Sequence, residues 1–137
     1  MFLILAPALT WIALSDLRFH RIPNRALVCL AMLSVIYSTR VGYIWQNQFL
    51  VACGVLCGGL LLWRFSSLGM GDVKLIFLIA LFLIPASVDS YFYFLTFFSI
   101  FSLIHLAAQA LILRSLRCPL PLAPSLVLAY IWLAYLK

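Results

Sequence analysis

Asp16, Asp72 and Asp89 are the only acidic side chains in this 137-residue chain. Ionisable groups beside apolar segments are expensive, and they are functional candidates by default. Two carboxylates held within a few ångströms cannot both ionise cheaply, so such a pair keeps one proton over a wide pH range. The ionised member draws a proton from water as the water attacks a peptide carbonyl. The protonated member hydrogen-bonds the carbonyl oxygen and later helps to protonate the leaving amine. That chemistry is open to whichever two aspartates the fold brings together.

Composition dictates the elements that must position them. The chain is 67% hydrophobic and 9% charged, against about 45–50% and about 25% in soluble domains. A water-soluble fold of this size leaves too much area exposed to hide so many apolar residues. An ordinary soluble enzyme, a disordered regulator and a nucleic-acid binder are excluded, which leaves an all-α polytopic membrane protein. The charges cut the sequence into uncharged runs at 1–15, 26–39, 41–63, 75–88, 90–113 and 118–136. A crossing takes about 20 apolar residues. The runs 41–63, 90–113 and 118–136 meet that alone, and the other three must borrow flanking residues or sit in a thinned bilayer. Six spans is the most economical count, because merging 26–63 would bury Arg40 near the bilayer centre.

The expected helices run over 2–15, 26–39, 42–63, 73–88, 91–113 and the last stretch of the chain. The first run lacks the basic stretch of a signal peptide and is expected to stay as a helix. Residues 1–137 read as a single membrane-embedded domain. Orientation follows the Lys/Arg asymmetry of short loops. Arg18, Arg21, Arg25, Arg64, Lys74, Arg114 and Arg117 fall after helices 1, 3 and 5, against Arg40 and Lys137 on the other side. That places the basic loops in the cytoplasm and both termini outside. The basic excess also suits anionic lipid headgroups.

On this topology Asp16, in the loop closing helix 1, and Asp72, opening helix 4, reach the same membrane face, and Asp89 belongs to the opposite one. Gly69 and Gly71 would let backbone approach the pair without Cβ obstruction. Other roles stay open. Asp72 is placed for a helix N-cap, and Asp16 for pairing with nearby arginines. Cys29, Cys53, Cys57 and Cys118 form no CxxC pair and read as buried thiols packing as small hydrophobes. Gly54 and Gly58 have the spacing that admits a close helix neighbour. His105 and Gln109, four apart on helix 5, are expected to satisfy each other or another helix. His20 reads as a solvated loop residue within reach of substrate. Lys74 should point away from Asp72 toward phosphate or lipid, and a pairing of Ser66 or Ser67 with Lys74 has nothing to fix its geometry.

Asp16 followed by Ile22-Pro23-Asn24 resembles the first-aspartate motif of type IV prepilin peptidases, and Gly69-Met70-Gly71-Asp72-Val73-Lys74-Leu75 resembles their second, GxGD followed by lysine. The order, the gap of about fifty residues between the motifs and the flanking helices fit as well. The segment Pro119–Pro124 is similar to the proline-bearing motif before that family's last helix, without its glycines. Leu81-Phe82-Leu83-Ile84-Pro85 stands where the family has a glycine-containing turn.

The resemblance implies a membrane aspartyl endopeptidase of the inner membrane. Such an enzyme cuts the basic leader from prepilins or pseudopilins at the cytoplasmic face. It assigns catalysis to Asp16 and Asp72. Ile22, Pro23, Asn24, Gly69, Met70, Gly71 and Lys74 become motif and candidate substrate-binding positions. With no cysteine-paired insertion, the chain is similar to the short peptidase-only forms of tight-adherence (Flp) pilus systems and to archaeal preflagellin peptidases. That implies no methyl donor, no other cofactor and no metal, with leader peptides and membrane lipids as partners and no nucleic acid. Two other classes remain beside it. One is a small transporter or channel subunit whose aspartates bind a cation or relay protons. The other is a structural subunit whose aspartates cap helices and pair with arginines.

Overall fold

The computed structural model describes residues 2–41, 45–65, 69–113 and 121–136. These form six α-helices and no strand: α1 (Phe2–Phe19), α2 (Asn24–Val41), α3 (Trp45–Phe65), α4 (Met70–Phe82), α5 (Val88–Leu113) and α6 (Ala123–Leu136). Helices α1, α2, α4 and α6 close a ring in which each packs on two others, while α3 packs on α4 and α5 on α6 from outside.

The ring forms because its helices carry apolar stripes at helical spacing. Leu5, Leu9 and Ile12 of α1 are fully buried, as are Leu75 and Ile79 of α4 and Leu30 of α2. The stripes of α1 and α4 each end in a carboxylate. Asp16 lies four residues beyond Ile12, and Asp72 three residues before Leu75. The aspartates therefore face the inside of the ring at the level where its apolar core stops.

Two helix boundaries differ from expectation, and both move an aspartate. Helix α1 runs past Ser15 to Phe19, so Asp16 sits on its last turn and not in a loop. Nothing over 16–19 breaks a helix, and the chain turns only at His20, whose φ of 48° is left-handed, a common way to end one. Helix α4 starts at Met70 because Gly69 takes the extended N-cap conformation, φ −71° and ψ 138°. That puts Asp72 on the third helical residue, so it is not the cap.

Helix α4 stops at Phe82, three residues short of Pro85, whose ring and missing N–H cannot continue it. Its 13 residues span about 20 Å against a hydrocarbon core of about 30 Å. The carbonyls freed at this end are satisfied by side chains. Gln48, buried on α3, donates to Ala80 O at 2.6 Å and also to Ile84 O, and the Tyr91 hydroxyl donates to Ala80 O at 3.1 Å. Irregular backbone away from water requires such partners.

The surface is apolar. Helices α3 and α5 contain stretches long and apolar enough to cross a membrane, Gln46–Phe65 and Val88–Leu111. Their large side chains point outward, among them Leu50, Leu61, Phe92 and Leu103, a surface suited to lipid and not to water. The run 118–136, expected to cross unaided, yields a helix of only 14 residues. Pro121 precedes that helix, and Pro124 is tolerated only in its first turn.

The same outward orientation corrects the reading of the thiols. Cys29 and Cys57 are exposed and Cys53 is half-buried, because an apolar side chain facing lipid need not be hidden. Nor do Gly54 and Gly58 meet a close neighbour among the described residues: a Cβ on either would find nothing within 4 Å. The close approach of α3 to α4 comes at Gly59, where a Cβ would stand 3.0 Å from Val73 Cγ1.

Candidate active site

The C-terminal end of α1 meets the N-terminal ends of α2, α4 and α6, and a cavity of about 290 Å³ opens there. Asp16, His20, Arg21 and Ile22 line one side of it and Gly69, Met70, Gly71 and Asp72 the other. The turn from α1 to α2 folds over the site. His20 N–H donates to Asp16 O at 2.9 Å, and Ser15 Oγ to Arg21 O at 3.2 Å. Pro23 O then accepts from the N–H groups of Ala26 and Leu27, which makes the proline the start of α2.

The two sequence motifs touch. A Cβ on Gly71 would lie 3.1 Å from Ile22 Cβ and 3.4 Å from both Ile22 Cγ1 and Cδ1, so glycine at 71 is what lets α4 come up under Ile22. Lys74 Nζ donates to Asn24 Oδ1 at 3.3 Å and joins the motifs a second time, on the side of α4 away from Asp72. Lys74 therefore does point away from Asp72, and its partner within the chain is an amide.

The two carboxylates have different surroundings. Asp16 is 5% exposed, and its Oδ2 accepts a hydrogen bond of 3.0 Å from Ala123 N–H. The first N–H groups of a helix have no partner of their own and carry the positive end of its dipole, so the α6 terminus stabilises a negative charge on Asp16. Asp72 Oδ2 turns back to Gly69, where it would stand 2.9 Å from a Cβ, and that residue's N–H favours its charge. Its Oδ1 is buried and has no partner among the described residues. A buried, unpartnered carboxylate oxygen is costly when ionised and comfortable when it shares a proton.

Both carboxylates lie past the apolar stretches of their helices, and both hold protons more tightly than usual. Burial pushes Asp72 up to about 6, the negative charge of Asp16 adds to this, and the Gly69 N–H opposes it. Burial also raises Asp16, against the Ala123 N–H, His20 and His105. Of the two, Asp16 has the better support for a charge.

Asp89 is exposed in the first turn of α5 and does not reach the cavity. His105 stands within electrostatic reach of Asp16, and no hydrogen bond joins it to Gln109 among the described residues. Pro23 and Asn24 lie just outside the cavity lining. Ser66, Ser67, Cys118, Pro119 and Leu120 lie outside the described residues. Among those described, no three His, Cys, Asp or Glu side chains are grouped to hold a metal ion.

Ala123 escaped the sequence reading because its contribution is a backbone N–H. The nearest signal was the proline-rich approach to α6, which marks a helix start without saying what that start faces. For Asp16 the stripe Leu5, Leu9, Ile12 already pointed inward.

A ring of helices with an apolar outer surface and two coupled carboxylates inside one end defines a helical membrane protein with a paired-carboxylate site. Residues 3–108 match the model of the type IV leader peptidase family, and the chain belongs to that family of proteases. No curated protein and no solved structure matches it. The family match ends before α6, so the Ala123 contact to Asp16 is supplied from beyond it.

Proposed function

We propose that the chain is an aspartic endopeptidase of the inner membrane that removes the basic leader from prepilin-like substrates, with Asp16 and Asp72 as its catalytic pair. The observation that carries this is the meeting of the two aspartates in one cavity, electrostatically coupled, in a member of the leader peptidase family.

The single domain crosses the membrane six times with both termini outside, and the Arg- and Lys-bearing loops hold the site at the cytoplasmic face. The shorter helices are accommodated by local thinning. Substrate enters with its basic leader toward the cytoplasm and its apolar helix in the bilayer.

Asp16, supported by Ala123 N–H, is the ionised member and takes a proton from the attacking water. Asp72 is the protonated member and donates to the scissile carbonyl oxygen. As the tetrahedral intermediate collapses, the proton gained by Asp16 passes to the leaving nitrogen, the carbonyl reforms and its proton returns to Asp72. Water is consumed, one peptide bond breaks, and the pair ends with the single proton it began with. Gly69 and Gly71 line the cavity in which extended substrate backbone meets the pair.

The test is cleavage of a prepilin-like peptide by purified protein in lipid, beside Asp16→Asn and Asp72→Asn. Cleavage at the end of the basic leader should fall at least about a thousandfold in each variant, with helical content retained and melting no lower than in the parent. A variant that cuts at the wild-type rate would remove that aspartate from the pair.

A further inference from the structure

A second cleft, of about 320 Å³, lies between α2 and α4 on the side of α4 that carries Lys74. Its mouth is polar, formed by Lys74 Nζ donating to Asn24 Oδ1 at 3.3 Å. Its walls are Leu27 and Val28 of α2 and Phe77 and Leu78 of α4, and Ala31 lies one turn deeper. Both helices begin at this end, so the cleft runs from a cationic mouth into apolar depth.

The charge at the mouth has no internal answer. Asp16 and Asp72 line the other cavity, and Asp89 opens α5. No carboxylate pairs with Lys74 among the described residues. An ammonium has three protons to donate, and Asn24 takes one. Arg25 is exposed beside Asn24, and the N-termini of α2 and α4 add partial positive charge.

We propose that this cleft binds an anionic phospholipid, with its phosphate on Lys74 and Asn24 and one acyl chain along Leu27, Val28, Phe77 and Leu78. A soluble anion would leave the apolar walls unused, and a zwitterionic lipid brings a cation of its own to Lys74. A polypeptide helix is about 10–12 Å across with its side chains and would rest on the rim. The proposal rests on the membrane-embedded reading above and not on the peptidase reaction.

The test titrates the purified full chain with phosphatidylglycerol and phosphatidylcholine of the same acyl chains and counts bound lipid by native mass spectrometry. Phosphatidylglycerol should be retained about fivefold more, the worth of one lysine at a membrane surface. Lys74→Gln should erase that preference, and Lys74→Arg should keep it. Ala31→Phe, which fills the cleft but leaves its charges, should lower retention.

Should a variant fail to fold, the wild-type chain still decides the matter. A phosphatidylglycerol with a photoreactive acyl chain should label residues 27–31 and 77–78 more densely than the outer faces of α3 and α5. Equal retention of the two lipids, or labelling spread evenly over α3 and α5, overturns the proposal. So does cross-linking of the cleft to a substrate's apolar helix in place of lipid. No arm reads leader cleavage, so failure here leaves the peptidase reading standing.

Discussion

Ala123 N–H donates to Asp16 Oδ2 at 3.0 Å across 107 residues of sequence, so the start of α6 holds the carboxylate that ends α1. The bond is testable because its donor is backbone. Ala123 is the first residue of α6, where proline is tolerated, and Ala123→Pro removes the N–H while leaving the helix able to form. Loss of a hydrogen bond to a charged group costs about 1.5–3 kcal/mol, and here that cost falls on the ionised state of Asp16. Cleavage should drop roughly tenfold to a hundredfold, and the acid limb of the pH–rate profile should move to higher pH. An unchanged acid limb in a folded variant would mean that the bond does not tune Asp16.

The pH dependence follows from the directions of the two shifts. In the proposed mechanism the competent form has Asp16 ionised and Asp72 protonated. As pH rises through about 6, Asp72 in the free enzyme loses its proton, so kcat/KM should decline there. Substrate covering the cavity removes water and raises the value further, so the decline in kcat should fall at higher pH. Steady-state rates from about pH 4 to 9 check both limbs. A flat kcat/KM through pH 5–8 contradicts the assignment of the proton to Asp72.

The same shift carries a stability consequence of definite sign. The folded chain holds the Asp72 proton more tightly than the unfolded chain does. The resulting stabilisation is complete below the ordinary value of 3.8 and is lost as pH rises through about 6. At neutral pH the ionised side chain is therefore a burden. Asp72→Asn should be inactive yet melt higher than the parent at pH 7.5, by on the order of 1–2 kcal/mol, with the difference vanishing near pH 4. Thermal melts in lipid at the two pH values measure it, and a variant less stable than the parent at pH 7.5 reverses the sign.

The apolar runs and the two motifs made the helix count, and the placing of Asp16 and Asp72 at one end of the ring, legible in sequence. Helix ends were less so, and for identifiable reasons. Asp16 looked like loop because polar residues follow it, yet the helix ends on a left-handed His20, which periodicity does not register. Gly69 as the cap of α4 was hidden because glycine offers no side chain to cap with. The Cys and Gly54/Gly58 readings failed together, since in a chain whose outer face suits lipid an apolar or small residue gives no sign of which way it points. Ala123 and Gln48 were unreadable because each contact joins a backbone group to a side chain far away in sequence.

Glycine at 69 and 71 protects two different contacts, and their loss should separate. A Cβ on Gly69 would press on Asp72 Oδ2 at 2.9 Å. That oxygen is the end of a flexible side chain, so Gly69→Ala should displace the carboxylate, cut cleavage about tenfold or more and leave melting nearly unchanged. A Cβ on Gly71 would press on Ile22 at 3.1 Å, forcing the α1–α2 turn away from α4. Gly71→Ala should lose both stability and rate, and adding Ile22→Ala, which removes the two atoms at 3.4 Å, should return part of each. Additive losses in the double variant would show that the two residues are not coupled.

Gln48 should matter for stability and not for chemistry. It is buried on α3 and serves Ala80 O and Ile84 O where α4 stops short of Pro85, at the end of α4 remote from Asp72. Gln48→Leu keeps the bulk and removes the donors. Ile84 O then loses its side-chain partner, while Ala80 O keeps the Tyr91 hydroxyl. An unsatisfied buried acceptor costs about 1–3 kcal/mol. Tyr91→Phe alone should cost less, because Gln48 still reaches the shared carbonyl. The double variant should exceed the sum of the singles, since only then is Ala80 O without either donor. Melting in lipid reads these differences, and cleavage per folded molecule should stay within about twofold of the parent. A rate that falls in step with stability would place the 83–87 turn among the elements that shape the site.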